Sequence, residues 1–405
     1  MVNAESLLTA FRRRFSGFEP TVLVRAPGRV NMIGEHVDYN DGLVLPIAID
    51  RATYTVAGRS NDDRIHVFSA AASQTTEFDV HKERWCENPF SHRAHGGAPP
   101  VATGWETYPR GVAAELAKAG VRPVGTRIYV DTDLPVGAGL SSSAALEVAV
   151  ALSLLAAAGA TIPPPELARV CRRAEHHYVG VPCGIMDQYA CMMAGAGSAL
   201  LLDCRDEQAV HIPWPDSETV VLIIDSRCRH KLSDGTYAER VHECSLAVER
   251  FKHADPAVRS LRDVTPRQLL EQQPSMEDVI YRRARHVVSE IQRTREAAEA
   301  LKHGDFAAFG RSINESHDSL CNDYEVSSPQ LDDLADAVRD VPGVYGARMT
   351  GAGFGGCVVA VAPRAAVPPV ESAVRKCYDT KYGINALVFV TRPCRGAVAT
   401  MIERP

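Results

Sequence analysis

Glu35, His36 and Asp38 crowd together beside Gly34 in the stretch RAPGRVNMIGEHVDYN (25–40). Three polar groups held so close suit a polyol, whose hydroxyls each need a directed partner. A metal site is a weaker reading of one histidine and two carboxylates in one loop, and a capped turn with solvated charges stays open. A second stretch, VGAGLSSSAALEVAV (136–150), passes from glycines through three serines into an alanine-rich run. Backbone N–H groups at such a turn and helix start can hold phosphate oxygens, aided by the helix dipole. The stretch lacks the lysine of a Walker loop, and a serine-capped helix explains its composition equally well. A third, Gly351 to Gly356, fits G-x-G-x-x-G, but the strand-like CVVAVAP follows it where a dinucleotide fingerprint would open a helix. It reads as a hairpin turn or as backbone that approaches a ligand. The neighbours His176 and His177 point about 100° apart on a helix and do not share an ion.

These residues need elements to hold them. TVLVRAP (21–27), GLVLPIAID (42–50), ATYTVAG (52–58), TRIYVDTDL (126–134), SALLLD (198–203) and TVVLIID (219–225) have the short β-branched runs of strands, as do CVVAVAP (357–363) and NALVFVT (385–391). Helices are predicted over about 142–158, 165–179, 185–194 and 367–380, with a mostly helical block from 237 to 340. Strands and helices mix without a regular βαβ repeat, so the fold class is α+β. A domain boundary is expected near 204–217. The Pro/Gly-bearing stretch 84–104 is a loop, either beside the active site or a plain connector.

Composition narrows the function. The chain has 405 residues, 45% of them hydrophobic, enough for two or three domains. Its net charge of −6 argues against a nucleic-acid or acidic-membrane binder, so any anion site is a local pocket. The 11 cysteines show no framework spacing and read as reduced thiols in a cytoplasmic setting. The start lacks the apolar core of a secretion signal. Leu7, Leu8, Phe11 and Phe15 recur there at helical spacing, predicting a docked amphipathic helix. The apolar run 144–160 contains Glu147 and is short for a membrane span, so it reads as a buried helix.

The motifs also carry a resemblance. APGRVNMIGEHVDYNDGLVLP resembles the galactokinase signature, and LPVGAGLSSSAALEVA resembles the phosphate-binding motif of the GHMP kinase superfamily. CGIMDQY (183–189) and TGAGFGGCVVAV (350–361) are similar to the next two blocks of that superfamily. RRARHVVSEIQRT (282–294) and INESHDSLCNDYEVSSPQLD (313–332) resemble galactokinase segments between them. The likeness runs over roughly 20–392, in the expected order. Val37 stands where the family usually has Thr, and Ala352 where it often has Gly.

The resemblance implies a two-lobed GHMP kinase fold with the active site between the lobes. A ribosomal-S5-like lobe covers 1–205, rejoined by the terminal segment 390–405; an α+β lobe covers 206–389. It implies transfer of a phosphoryl group from ATP to the C1 hydroxyl of galactose, the first committed step of galactose metabolism, with Mg²⁺ as cofactor. Asp187 falls at the catalytic aspartate, as base or as orienter of the hydroxyl, and Arg29 at the arginine beside the transferred phosphate. Glu35, His36, Asp38, Tyr237 and the backbone at Gly184 match sugar contacts. Gly137, Ala138, Gly139, Leu140, Ser141, Ser142 and Ser143 form the ATP loop, and Ser143 and Glu175 match the magnesium ligands. The expected partners are galactose and ATP, with no nucleic acid and no membrane, and the expected state is a monomer. A kinase of another sugar, a sensor without turnover and an RNA-binding protein are the alternatives; the intact catalytic set opposes the second, and the net charge the third.

Overall fold

The computed structural model describes residues 2–80, 104–229 and 235–403, so the predicted loop 84–104 lies outside the described residues except for Gly104. The chain enters through α1 (Ala4–Arg14), where Asn3 caps the helix by accepting the Glu5 N–H at 3.0 Å. Leu7, Phe11 and Phe15 are buried as their spacing predicts, packed with Val56; Leu8 is only partly buried. Then follow β1 (Val22–Asn31), β2 (Leu43–Val44), β3 (Pro46–Arg59), β4 (Arg64–Ser69), β5 (Gln74–Asp79), α2 (Thr107–Lys118) and β6 (Thr126–Thr132). The helices α3 (Ser142–Ala158), α4 (Pro164–Ala174) and α5 (Met186–Met193) lead to β7 (Ser198–Asp203) and β8 (Gln208–Pro213).

The runs expected as separate strands at 42–50 and 52–58 form mainly one strand, β3. The polar pair Asp50–Arg51 that broke the pattern sits where the β1–β3 register shifts, between Pro27 and Arg29. The ladder resumes after that shift with Arg29 paired to Ala48. The helix expected over 165–179 is α4 followed by a wider π turn, Glu175–Val179, which places Glu175 at the point of widening.

The second half begins with β9 (Thr219–Asp225) and continues through α6 (Thr236–Ala254), α7 (Pro266–Gln272), α8 (Asp278–Lys302), α9 (Phe306–Ser319) and α10 (Pro329–Arg339). It ends with β10 (Gly346–Thr350), β11 (Cys357–Pro363), α11 (Val367–Val374), β12 (Leu387–Thr391) and β13 (Val398–Met401). Three sheets result, ordered β13-β1-β3-β6-β4-β5, β10-β11-β9-β12 and β2-β7-β8. Among the described residues, of the paired strands only β4 and β6 run parallel. The chain thus mixes helix and sheet in the α+β manner, and its end returns to β1 through β13.

Side-chain alternation divides the interior. Val221 and Ile223 of β9 and Val359 and Val361 of β11 face the core that also holds α3, while Val220, Leu222, Ile224, Val358 and Ala360 face the core under α6, α8 and α10. Both faces of that sheet are covered, which is why these strands read as unbroken apolar runs instead of alternating ones. The helix α3 lies against β1 and β3 with Ala144 to Leu155 largely buried, as the apolar run predicts. Among the described residues, no helix is long and apolar enough to cross a membrane.

The α1 contact is separate from both main cores. Phe11→Ala should therefore lower the urea midpoint by the equivalent of about 3–5 kcal/mol, the usual cost of a buried Phe→Ala cavity. The galactose KM should stay at its wild-type value, which steady-state kinetics checks.

Candidate active site

The centre of the site is an ion pair between two distant segments. Arg29, at the irregular end of β1, donates from Nε to Asp187 Oδ1 at 2.7 Å and from Nη2 to Oδ2 at 2.8 Å. Its third head nitrogen donates to the Gly139 carbonyl at 2.7 Å. Burial works against the Arg29 charge, but Asp187, Glu35 and Asp38 outweigh it and raise its pKa. Asp187 lies in the first turn of α5. Its side chain remains 24% exposed against 6% for Arg29, so the carboxylate is the more open of the two partners, though both line the cavity.

The glycine–serine stretch turns before α3 with Gly137 and Gly139 at φ of 71° and 75°. Ser141, also left-handed at φ 55°, stands at the helix N-cap position without making a capping bond. Its hydroxyl donates instead to Asp187 Oδ2 at 2.5 Å. The serine-capped helix is therefore not what these residues form; the helix start is left open toward the cavity. The Gly351–Gly356 turn joins β10 to β11 as a hairpin and packs on this loop, so that a Cβ on Gly351 would lie 2.9 Å from the Gly139 carbonyl oxygen. The hairpin reading of that turn holds, and the Gly351 N–H donates to Glu35 Oε2 at 3.0 Å.

The signature loop after β1 is fixed from beneath by α8. Glu290 accepts the backbone N–H groups of Gly34 and Glu35 at 3.0 and 3.2 Å and the Ser316 hydroxyl at 2.6 Å. Burial alone would push the Glu290 carboxyl up, yet Arg293, His286 and Arg348 hold it down at about 2. His286, one turn earlier, meets the Glu35 carbonyl through Nε2 at 3.1 Å. Arg348 of β10, fully buried, donates to Glu35 Oε2 at 2.6 Å. Burial nevertheless raises the Glu35 pKa, against the opposing pull of Arg348 and Arg29.

His36 lines the cavity, but both ring nitrogens are engaged by protein. Nε2 lies 3.1 Å from the Ala352 carbonyl, an acceptor only, so Nε2 carries the proton and Nδ1 accepts from the Tyr39 hydroxyl at 2.8 Å. Burial and the neighbouring His286 push its pKa down to about 3, which keeps the ring neutral. Only its ring edge is left for a ligand. Asp38 is different: burial, then Asp187 and Glu35, push its carboxyl up to about 7. It presses on Gly184, where a Cβ would fall 1.9 Å from Asp38 Oδ2, so only glycine fits there. Tyr237, on the first turn of α6, stands with its ring 5.6 Å from that of His36.

Glu175 is buried, and burial followed by Asp187 raises its pKa. It accepts from Gln188 Nε2 at 2.9 Å and the Cys183 thiol at 3.3 Å, and the nearby Ser143 hydroxyl also favours its charged form. A buried carboxylate and a hydroxyl, both oxygen donors at one cavity wall, fit a hard divalent cation such as Mg²⁺. The His176–His177 pair diverges as expected, one ring toward the Cys183 carbonyl and the other toward Glu115.

Every residue expected at the site except Ala138 lines one cavity of about 150 Å³; Ala138 is buried, pointing away from it. Val37, the departure from the expected Thr, is also buried in the core and does not line the cavity. A second hollow of about 410 Å³ adjoins the loop at Ser142 and Ser143 and is walled by Trp105, Tyr108, Val136 and Leu146. Val136 is 67% exposed there, unusual for a valine unless something covers it. The Arg229 side chain passes beside Gly137, its head paired with Asp225 at 2.6 and 2.7 Å. Sequence reasoning missed Arg229, Trp105, Tyr108, Glu290 and Arg348. Only the i, i+4 pair His286 and Glu290 on a helix offered a signal, since the rest enter from distant segments.

Comparison with known proteins places the chain. The model for the galactokinase galactose-binding signature matches residues 9–59, that for the GHMP kinases N terminal domain 107–195, and that for the GHMP kinases C terminal 297–380. The galactokinase of Roseiflexus sp. (strain RS-1) is 42% identical over 401 residues, 99% of this chain and 98% of that one. The Homo sapiens galactokinase is 40% identical over 96% of this chain and 94% of its own. The structure of Lactococcus lactis galactokinase complexed with galactose superposes with a TM-score of 0.89 at 30% identity, covering 97% of this chain and 99% of that one. A mevalonate kinase at 19% identity and a TM-score of 0.61 shares the fold. With its signature loop, its phosphate-loop helix and nearly its whole length matched, the chain belongs to the galactokinase family of the GHMP kinases.

Proposed function

We propose that this chain transfers the γ-phosphoryl group of ATP to the C1 hydroxyl of galactose. The bidentate Arg29–Asp187 pair carries the reading, because it lies where the sugar-lined side of the cavity meets the open start of α3. Asp187 orients the C1 hydroxyl and accepts its proton, while Arg29 holds that carboxylate and presents permanent positive charge to the transferred group. The α3 N-terminus and the loop N–H groups hold phosphate oxygens. Arg229 supplies a second guanidinium at the loop's rim, and the hollow walled by Trp105 and Tyr108 takes the adenine. Ser143 and Glu175 hold Mg²⁺, which when bound offsets phosphate charge. Asp38, Glu35 and Tyr237 receive sugar hydroxyls, with the His36 ring edge packed beside them. The lobes are 1–205 with 390–405, and 206–389; the pairing of β13 with β1 supports the return of the terminal segment to the first lobe.

A panel of sugars in an ATP-coupled assay tests the assignment, with galactose expected to give the highest kcat/KM; a better substrate would displace it. Asp187→Asn should lower kcat by about 10²–10⁴-fold, the usual worth of a positioned acid–base group. Its galactose affinity, measured by calorimetry without ATP, should stay near wild type.

The position of Asp38 predicts a pH dependence. Its carboxyl sits at about 7 in the sugar-free protein. Hydroxyls that donate to it favour the charged form, so bound sugar lowers that pKa. Binding below pH 7 must then expel a proton, and galactose affinity should weaken by up to about tenfold per pH unit from 7 toward 6. Above pH 8 it should be flat. Asp38→Asn should weaken binding at pH 8 and remove the slope; a variant that keeps the slope would show that another group titrates.

A further inference from the structure

Behind Glu175 lies a polar cluster that phosphoryl transfer does not itself call for. Glu147 stands one helical turn beyond Ser143 on α3, with none of its surface exposed. Gln188, next to Asp187 on α5 and equally buried, donates from its amide to Glu147 Oε2 at 3.1 Å and to Glu175 Oε2 at 2.9 Å. Glu147 Oε1 and Gln188 Oε1 have no hydrogen-bond partner. A carboxyl group and an amide left half-satisfied in an apolar interior cost stability, and an apolar pair would link α3 to α5 without that cost. The arrangement does one thing an apolar pair could not. An amide with both N–H groups committed to two carboxyl groups cannot rotate, so anchoring it on Glu147 fixes where it meets Glu175.

We infer that Glu147 is a positioning residue: through Gln188 it sets the orientation in which the Glu175 carboxylate receives the divalent cation. The metal site is then a four-residue unit, Ser143, Glu175, Gln188 and Glu147, that reaches from the cavity wall into the core, with Ser143 and Glu147 on one face of the same helix. The inference rests on Glu175 being a metal ligand. Its energetic signature is specific, because partners that orient a ligating carboxylate govern metal affinity without touching the other substrate.

The test is the dissociation constant of ADP from the full-length protein, measured by calorimetry with and without Mg²⁺; the ratio reports the metal's contribution to binding. Glu147→Leu and Gln188→Leu should each reduce that ratio by about 10-fold or more. ADP affinity without metal and galactose affinity should hold. Glu147→Gln keeps an oxygen that accepts from Gln188 and should retain the wild-type ratio. A wild-type ratio in Glu147→Leu overturns the inference, and so does a Glu147→Gln ratio as low as that of Glu147→Leu. Should Glu147→Leu fail to fold, Gln188→Leu breaks the same link from the other side and decides by the same criterion. Glu175→Gln separates the two levels: an unchanged ratio there overturns the metal assignment itself, whereas a low ratio there with a normal one in Glu147→Leu overturns only the relay.

Discussion

A guanidinium and a carboxylate 158 residues apart in the chain meet at the wall of one cavity, and much of the surrounding structure exists to keep them there. Taking both charges out of water is expensive, and an apolar pair would often serve stability better. Arg29 and Asp187 offset the cost by near-complete hydrogen bonding. The third guanidinium nitrogen donates to Gly139, and the carboxylate gains a further donor from Ser141. Each of these bonds also shapes the phosphate loop. Gly139 and Ser141 are both left-handed, so the ion pair fixes the turn that opens α3 toward the cavity. Loop conformation and catalytic pair are one interaction.

The sugar side is organised by the same logic from the opposite direction. A loop that carries Glu35, His36 and Asp38 would be free to fold outward on its own. It is pinned because α8 offers a buried carboxylate to two of its backbone N–H groups, and β10 offers a buried guanidinium to Glu35. These supports come from the second half of the chain, while the loop belongs to the first. The cavity is therefore closed by interactions that exist only when the two halves pack. The shared cores on either side of β9 make that packing continuous and not a loose contact between separate bodies.

This explains what could be read in the sequence and what could not. Local signals were legible: the β-branched runs, the α1 stripe of Leu7, Phe11 and Phe15, and the glycine turns. The cavity-lining residues were legible because they cluster in motifs. Ala138 stands in the phosphate-loop motif, but that place says nothing about which way its side chain packs, and the structure buries it in the core. The weak strands β4 and β5 were missed because polar residues such as Gln74 and Glu77 break their alternation, and β13 because four residues carry little pattern. Arg348 and Glu290 were invisible as site residues, for a buried charge in a strand or helix declares itself only through a partner 313 or 256 residues away. His36 is the subtler case: its presence at the site could be read, but that both nitrogens are taken depends on Ala352 and Tyr39 arriving around it.

The missing lysine of the phosphate loop now has a physical answer. A lysine there would sit among Asp187, Asp38, Glu35 and Glu175, and would be drawn to carboxylates before any phosphate arrived. The site instead gathers carboxylates in excess of its one central cation. Without ligands that excess is relieved by protons, which is why burial and mutual repulsion raise Asp38 to about 7 and raise Glu175 above the ordinary carboxylate range. Each proton marks a position where a ligand group can substitute. On the proposed function, the substitute at Asp38 is a sugar hydroxyl, which donates without adding charge, and at Glu175 a divalent cation, which brings the positive charge that phosphate requires. The loop itself then needs only neutral N–H groups and glycine backbone. On that reading, dividing the positive charge between a fixed arginine and a metal that arrives with the nucleotide lets the pocket stay folded by itself and ties its full charge balance to the presence of both substrates.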